Sequence, residues 1–213
     1  MSSETMQDGA VIAGYVVEQE IGRGAMATVY LAQDLKHHRL VALKLLKPGL
    51  TASMEAARFL REIQITATLA HPNILPLHDS GDENGQLYYV MPYVDGGSLR
   101  QRLTREGQLP VAEAVRIARA VADALACAHA HDVVHRDIKP ENILMEHGHP
   151  VVVDFGVALA LSAVCGVYTT GAGVAVGTPS YMSPEQASGD SEVGHRADQY
   201  ALACVLYEML AGA

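Results

Sequence analysis

The spacing of apolar and polar residues changes character near residue 98. Upstream of that point, short β-branched and aromatic runs alternate with Gly, Asp and His clusters, which is typical of strands joined by tight turns. Four such runs begin at Tyr15, Ala27, Leu40 and Leu87. Within this region, segment 54–63 has apolar residues at three- and four-residue spacing, so we predict a helix there, capped by Ser53.

Downstream of residue 98, helical spacing prevails. Pro110 precedes an Ala-rich segment, Val111 to His129, for which we predict a long helix. A second helix is predicted from Gln199 to Leu210. Between the two, runs 142–145 and 151–153 flank a turn-forming His147-Gly148-His149-Pro150 and predict a β-hairpin.

These elements predict an α+β fold with two lobes. The first is a small antiparallel-β lobe with one helix, and the second is mostly helical. We expect a flexible tail at 1–12, the β lobe at 13–91, a hinge at 92–97 and the helical lobe at 98–213. Ligands favour the cleft between two such lobes.

Composition narrows the classes of function. The chain has 213 residues, 49% hydrophobic and 18% charged, which is typical of a globular protein and not of a disordered one. The net charge of −9 and the lack of a Lys/Arg-rich run argue against nucleic acid as a partner. The three cysteines are widely spaced and show no disulfide framework, so we expect a reducing compartment. We also expect no signal peptide and no membrane-spanning segment.

The most specific motif is His135-Arg136-Asp137-Ile138-Lys139-Pro140-Glu141-Asn142, followed downstream by Asp154-Phe155-Gly156. It supplies a carboxylate, an ammonium group, an amide and a second carboxylate. Phosphoryl transfer from a metal-bound nucleotide requires these groups. A cation held by one carboxylate, one amide and phosphates fits Mg²⁺ better than zinc.

Two weaker motifs lie in the β lobe. The glycine-containing turn Gly22-Arg23-Gly24-Ala25-Met26-Ala27-Thr28-Val29 lets the backbone approach phosphates closely, although on its own it fits an ordinary hairpin better. Lys44 lies in an apolar strand, where its ammonium group should face an anion. Lys44 at a strand edge and Glu62 on a solvated helix face remain the alternative.

The histidines offer a rival interpretation, a soft-metal cluster. His131 and His135 have helical spacing, with His129, His147 and His149 nearby in the sequence. However, Asp132-Val133-Val134 interrupts the helix between the first two, and no cysteine joins the set. Turn and core histidines are therefore the preferred interpretation.

Together these motifs resemble those of the protein kinase family, in particular the bacterial, eukaryotic-like serine/threonine kinases. The resemblance extends from Ile12 to Leu210 and includes His71-Pro72-Asn73-Ile74 and the segment from Gly177 to Glu185, which closes an activation segment at 154–185. Asp198 resembles the helix acid that braces the catalytic loop.

The resemblance implies a set of roles around ATP. Asp137 would accept the hydroxyl proton, Lys139 would neutralise the transferred phosphoryl group, and Asn142 and Asp154 would hold Mg²⁺, or alternatively Mn²⁺. Lys44 would hold the α- and β-phosphates, oriented by Glu62. The implied ATP-binding residues are Ile21, Gly22, Arg23, Gly24, Ala25, Val29, Ala42, Lys44, Met91, Pro92, Val94 and Leu144.

The resemblance also implies a substrate class and a regulation. Lys139 and Thr178 favour a protein substrate with a serine or threonine acceptor. Arg136 before Asp137 indicates activation by autophosphorylation, with Thr169 and Thr170 as candidate sites and Tyr168 and Ser162 behind them. A homodimer would allow phosphorylation in trans. We expect a cytoplasmic protein, or the cytoplasmic domain of a longer membrane-anchored parent.

Some positions depart from the family pattern. Ala27 stands where the family has a third glycine, Val153 where it often has a smaller residue, and Pro92 lies in the hinge. The chain stops after the helix that carries Asp198, so we expect a truncated domain without its last helices. Two alternatives stay open: a nucleotide-binding, inactive pseudokinase-like module, and a kinase acting on a small molecule.

Overall fold

The computed structural model describes residues 8–24, 27–47, 60, 63, 67–155, 179–190 and 193–212. The first half of this part forms a six-stranded antiparallel sheet with the strand order β1-β2-β3-β4-β6-β5. Its strands are β1 (Val11–Ile12), β2 (Tyr15–Arg23), β3 (Ala27–Asp34), β4 (Arg39–Leu46), β5 (Asp79–Glu83) and β6 (Gln86–Pro92).

Alternation of side chains along the central strands builds two apolar layers, because successive residues of a strand point to opposite faces. On β4, Val41, Leu43 and Leu45 pack on one face, whereas Ala42 and Leu46 pack on the other. The same alternation divides Tyr88 and Val90 of β6 from Leu87, Tyr89 and Met91. The second face packs with Ile63, Leu75 and Leu77, which lie outside the sheet.

The second half of the chain is mostly helical. Its helices are α1 (Leu99–Glu106), α2 (Val111–His129), α3 (Pro184–Ser188) and α4 (His195–Ala211). The described residues of this half also form a two-stranded sheet, β7 (Ile143–Glu146) and β8 (His149–Val152), and two 3₁₀ turns, Pro140–Asn142 and Pro179–Tyr181. The largest apolar core lies here, where buried residues of α2 such as Ile117, Val121 and Leu125 pack with Val205 and Met209 of α4.

The connection between the sheet and the helices is short and tightly packed. Met145 N donates to the Gly97 carbonyl at 2.9 Å, which attaches β7 to the chain that leaves β6. A Cβ atom at Gly96 would lie 1.7 Å from the Met145 carbonyl oxygen, so this position admits only glycine. Val152 N and Leu75 N extend the contact, because they bond to the Asn73 and Val152 carbonyls respectively.

Most predicted elements are confirmed. The four strand runs, the helix Val111–His129 and the hairpin of β7 and β8 occur where the patterns place them. Helix α4 begins at His195 instead of Gln199, because the buried Asp198 belongs to its first turn. Of the helix predicted over 54–63, Leu60 and Ile63 are helical and the other residues lie outside the described part.

Strand β5, helix α1 and strand β1 are among the described elements that were not predicted. Strand β5 has the polar sequence DSGDE and lies at the edge of the sheet, so it carries no apolar alternation. Helix α1 begins at a capping box, in which Ser98 and Gln101 bond reciprocally. Strand β1 overlaps the tail expected at 1–12, because Val11 and Ile12 pair with Val16 and Tyr15.

No helix in the described ranges is both long and apolar enough to cross a membrane.

Candidate active site in the cleft

Asp198, in the first turn of α4, organises the loop that carries the main motif. Its carboxylate accepts backbone hydrogen bonds from His135 at 2.9 Å and Arg136 at 2.7 Å, and a third from His129 Nε2 at 2.8 Å. Arg136 has a positive φ of 67°, a strained conformation for this residue type. Asp198 therefore fixes a loop shape that the chain alone would not prefer.

The charge of Asp198 is maintained although the side chain is 0% exposed. Burial by itself would raise the pKa of this carboxyl, but the hydrogen bonds from His129, His135 and Arg136 hold the pKa below its usual value. The group is therefore an ionised anchor inside the core.

His135 links the loop to the strand that follows it. Its Nε2 donates to the Val153 carbonyl at 2.8 Å, and its Nδ1 accepts from Asp137 N at 3.3 Å. The two bonds together fit the tautomer with its hydrogen on Nε2. The ring also contacts Phe155 edge-on, at 4.7 Å between centroids. The residues on either side of Asp154 are thus held against the loop.

Two of the residues predicted to act with Asp137 already bond to its carboxylate. Lys139 Nζ donates to Asp137 Oδ2 at 2.7 Å, and Asn142 Nδ2 donates to the same oxygen at 3.1 Å and to the Asp137 carbonyl at 2.8 Å. The Asp137 side chain is 32% exposed, so a ligand can still reach it. The sequence predicted these three residues as one catalytic group, and the structure brings them together.

Lys44 and Asp154 meet across the cleft, although 110 residues separate them in the chain. The Lys44 ammonium donates to Asp154 Oδ2 at 2.5 Å. The other oxygen, Oδ1, accepts from the Tyr89 hydroxyl at 2.7 Å. Burial opposes the charge on Asp154, but Lys44 and then the Tyr89 hydrogen bond hold its pKa below the usual value. Asp154, like Arg136, has a φ of 67°.

The two residues predicted to hold a metal are attached to adjoining backbone. Val153 N, next to Asp154, donates to the Asn142 carbonyl at 3.0 Å. One carboxylate and one amide oxygen are hard donors that suit Mg²⁺, which takes its remaining ligands from water and phosphates. The described residues contain no group of three or more His, Cys, Asp or Glu side chains that could hold a metal ion by themselves.

The residues implied to hold the adenine lie on strands β3, β4, β6 and β7 and just after β6. Ala42 and Met91 are cross-strand partners and are buried, and Val29 packs against their cluster. Leu144 is half-buried on β7, where it forms an isolated bridge with Ser98. Val94 is buried and Pro92 half-buried, just beyond Met91.

The glycine-containing turn is described only in part. Gly22 pairs with Val29, and Gly24 N donates to the Ala27 carbonyl at 2.8 Å, which closes the turn. Ile21 is exposed, and the Arg23 side chain bonds to Glu20, with Nε donating at 2.8 Å. The predicted site residues Ala25, Glu62 and Thr178 and the candidate phosphosites Ser162, Tyr168, Thr169 and Thr170 lie outside the described residues.

Two features of this region were not predicted from the sequence. Tyr89 lies within an apolar strand run and gave no sign of a polar role. Arg100 on α1 donates to Glu141 Oε1 at 2.8 Å, to Glu208 and to the Tyr181 hydroxyl, which itself bonds to Glu208. These four residues come from four separate elements. The capping box before Arg100 was the only available signal, and it marks the helix but not the cluster.

Comparisons with known proteins agree with this geometry. Residues 15–213 match the protein kinase domain family. The serine/threonine-protein kinase PknD of Mycobacterium tuberculosis is 47% identical over 100% of this chain and 32% of its own length. The serine/threonine-protein kinase PrkC of Bacillus subtilis is 42% identical over 96% of this chain and 31% of its own length. The chain thus spans about a third of the length of these relatives.

A solved structure gives the same result for the fold. The crystal structure of the Mycobacterium tuberculosis PknI kinase domain superposes with a TM-score of 0.78 at 36% identity, covering 98% of this chain and 79% of that one. The two-lobed architecture, the loop braced by Asp198 and the sequence match over residues 15–213 lead to one assignment: this chain belongs to the protein kinase domain family.

Proposed function

We propose that this chain transfers the γ-phosphoryl group of ATP to serine and threonine hydroxyls of proteins. The observation that carries the proposal is the arrangement of Asp137, which is reachable from the cleft while both Lys139 and Asn142 donate to its carboxylate. A carboxylate held this way is oriented to accept a hydrogen bond from an acceptor hydroxyl.

Each remaining group has a role in this proposal. Asp137 orients the acceptor hydroxyl and accepts its proton. Lys139 lies within bonding distance of Asp137 and places a positive charge where the transferred phosphoryl group carries negative charge. Lys44 binds the α- and β-phosphates once nucleotide enters, and Glu62 orients it. Thr178 completes the acceptor site.

Asn142 and Asp154 are the residues that would hold the divalent cation, and Mg²⁺ fits their oxygen atoms best. When bound, the cation supplies charge neutralisation for the phosphates. The adenine lies between Val29, Ala42 and Leu144, and its edge meets the backbone of Pro92 and Val94 at the hinge. Residues 13–91 and 98–213 form the two sides of the cleft, and 154–185 form the activation segment.

Regulation follows from the position of Arg136. Its backbone is fixed by Asp198, and Gln186 Nε2 of α3 donates to its carbonyl at 2.7 Å. A phosphate on Thr169 or Thr170 would pair with the guanidinium of Arg136 and connect the activation segment to the catalytic loop. Autophosphorylation in trans within a transient homodimer is the corresponding route. The relatives named above carry the serine/threonine designation, which supports this acceptor class.

Mass spectrometry of the purified chain after incubation with Mg-ATP tests the proposal. We expect phosphoserine or phosphothreonine on the chain or on an added basic protein, and the modified peptides identify the loop site. Asp137→Asn should reduce the rate by roughly 10²–10⁴-fold, because it removes the proton acceptor and keeps the shape. Asp123→Asn, an exposed change on α2, is the control and should keep the rate.

Two results would contradict the proposal. If the wild-type chain binds Mg-ADP but transfers no phosphoryl group, the chain is an inactive nucleotide-binding module. If Asp137→Asn is as active as the wild type, the proposed role of Asp137 as proton acceptor is wrong.

A further inference from the structure

The Tyr89 hydroxyl bonds to the same carboxylate as Lys44 but to the other oxygen. Tyr89 Oη donates to Asp154 Oδ1 at 2.7 Å, while Lys44 Nζ donates to Asp154 Oδ2 at 2.5 Å. The ammonium group also lies 5.3 Å from the centroid of the Tyr89 ring. Each oxygen of Asp154 therefore has its own donor from the sheet.

The register of the sheet sets the spacing of these two donors. Lys44 on β4 and Tyr89 on β6 are direct cross-strand partners, so their side chains project from the same face. The backbone ladder between β4 and β6 thus fixes the distance between a hydroxyl and an ammonium group. Such a pair can hold a carboxylate in one rotation about its Cβ–Cγ bond.

The surroundings make the hydroxyl bond strong. Tyr89 is 2% exposed, and the space beside Asp154 is otherwise lined by apolar residues, including Ile63, Ile74 and Met91. A hydrogen bond to an ionised group is stronger in such a setting than in water.

Packing alone does not require this hydroxyl. A phenylalanine would fill the same space between Ile63 and Met91, and the strand run around Tyr89 is otherwise apolar. A phenol in this layer therefore needs a partner, and Asp154 is one that the structure provides. The contact connects the central sheet directly with the residue proposed to hold the cation.

We propose that Tyr89 is a positioning residue for Asp154: its hydroxyl orients the carboxylate so that the free lone pairs face the cleft and the divalent cation that accompanies the nucleotide. The inference rests on the proposed function, because it assumes that Asp154 binds this cation. Hydrogen-bond partners of metal ligands usually change metal affinity by about 10–100-fold when they are removed.

The test separates metal binding from nucleotide binding. Mn²⁺ is titrated into the purified full chain with saturating ADP, and bound Mn²⁺ is measured by electron paramagnetic resonance. The affinity for ADP in EDTA is measured separately by calorimetry. For Tyr89→Phe we expect Mn²⁺ affinity to fall by about tenfold, at the lower end of the usual range, with ADP affinity in EDTA unchanged.

Tyr88→Phe is the matched control. It is the same chemical change one residue earlier on β6, and Tyr88 packs on the opposite face of the sheet, away from Asp154. We expect wild-type affinity for both Mn²⁺ and ADP. Thermal unfolding without metal should show that both variants are folded.

Several outcomes would overturn the inference, and they differ in kind. Wild-type Mn²⁺ affinity in Tyr89→Phe would show that the hydroxyl does not position Asp154. An equal loss of ADP affinity in EDTA would show a general structural role in the sheet. If the wild-type chain itself binds no Mn²⁺ in the presence of ADP, the proposed function fails, and this inference fails with it.

Discussion

Two aspartates of this molecule are both held ionised by several donors, yet they are built in opposite ways. Asp198 is 0% exposed, and two of its three donors are the backbone N–H groups of His135 and Arg136. Asp154 keeps a side chain that is 16% exposed, and both of its described donors are side chains of the sheet. The first carboxylate is enclosed by the loop that it shapes, whereas the second stays accessible.

This difference separates a structural carboxylate from one available for chemistry. Backbone donors cannot move away without unfolding the loop, so Asp198 is bound permanently. Lys44 can rotate about its side-chain bonds and, in the proposed function, exchange Asp154 for a phosphate of the nucleotide. Loss of Asp198 should therefore cost stability first, and loss of the partners of Asp154 should cost activity first.

Replacing Lys44 by methionine should have the largest effect. The change removes the ammonium group proposed to bind the phosphates, and loss of one such stabilising group typically lowers the rate by about 10²–10³-fold. We expect only about 1–2 kcal/mol of unfolding free energy to be lost, because Asp154 keeps the hydrogen bond from Tyr89 and a side chain that is 16% exposed. Phosphoryl transfer to a basic protein and urea denaturation measure the two effects.

Lys36→Met is the control for this variant. Lys36 lies on the exposed turn after β3, so the same chemical change should alter neither quantity. A Lys44→Met protein that is fully active, or one that is unfolded at neutral pH, would contradict the division between the two aspartates.

Replacing Asp198 by asparagine should mainly reduce stability, in contrast to the Lys44 variant. The side-chain amide nitrogen of the new asparagine cannot accept a hydrogen bond, so at least one of the three groups that donate to Asp198 would lose its acceptor. Each buried donor left without an acceptor costs roughly 1–3 kcal/mol. We expect the free energy of unfolding to fall by about 3 kcal/mol. Urea denaturation at neutral pH measures it, with Asp123→Asn as the exposed control. A loss no greater than that of the control would show that Asp198 is not the anchor of the loop.

The same variant has an expected pH dependence. The folded-state pKa of Asp198 lies below the ordinary value of 3.8, so its stabilisation is complete above that value and is lost as the pH falls through the folded-state pKa. The difference in unfolding free energy between wild type and Asp198→Asn should therefore shrink as the pH falls below about 4. A difference that stays the same in strong acid would contradict this origin.

The two aspartates also differ in how far the sequence predicts them. The motif around Asp137 is contained in a short stretch of sequence. Asp137, Lys139 and Asn142 lie within six positions, so their spacing alone brings the groups together. Asp198 was predicted through the family resemblance. The contact of Lys44 with Asp154 spans 110 residues and depends on how the sheet sits on the hairpin of β7 and β8, which no local pattern contains.

Tyr89 and strand β5 are two features that the sequence pattern could not predict. Tyr89 fits the apolar alternation of β6 equally well with or without a partner for its hydroxyl. Strand β5 carries a polar sequence because one of its edges is unpaired, so the period of two is weak. In both cases tertiary contacts decide whether the hydroxyl has a partner or the segment forms a strand. The local sequence is compatible with either result.

The smallest predicted effect concerns a third carboxylate, Glu208 of α4. Like Asp154, it accepts hydrogen bonds from side chains, which here come from α1 and from the 3₁₀ turn at Pro179–Tyr181. The two donors are Arg100 and Tyr181. Burial and the hydrogen bond to Glu208 raise the pKa of Tyr181 to about 12. Glu208→Gln keeps an acceptor and removes the charge, so we expect a loss of about 1 kcal/mol in urea denaturation. Glu141→Gln alters the more exposed partner of the same Arg100 and should cost less, at most about 0.5 kcal/mol. An equal loss in both variants would mean that the burial of a carboxylate does not determine how much unfolding free energy it contributes. That result would also contradict the comparison of Asp198 with Asp154, which rests on their different exposure.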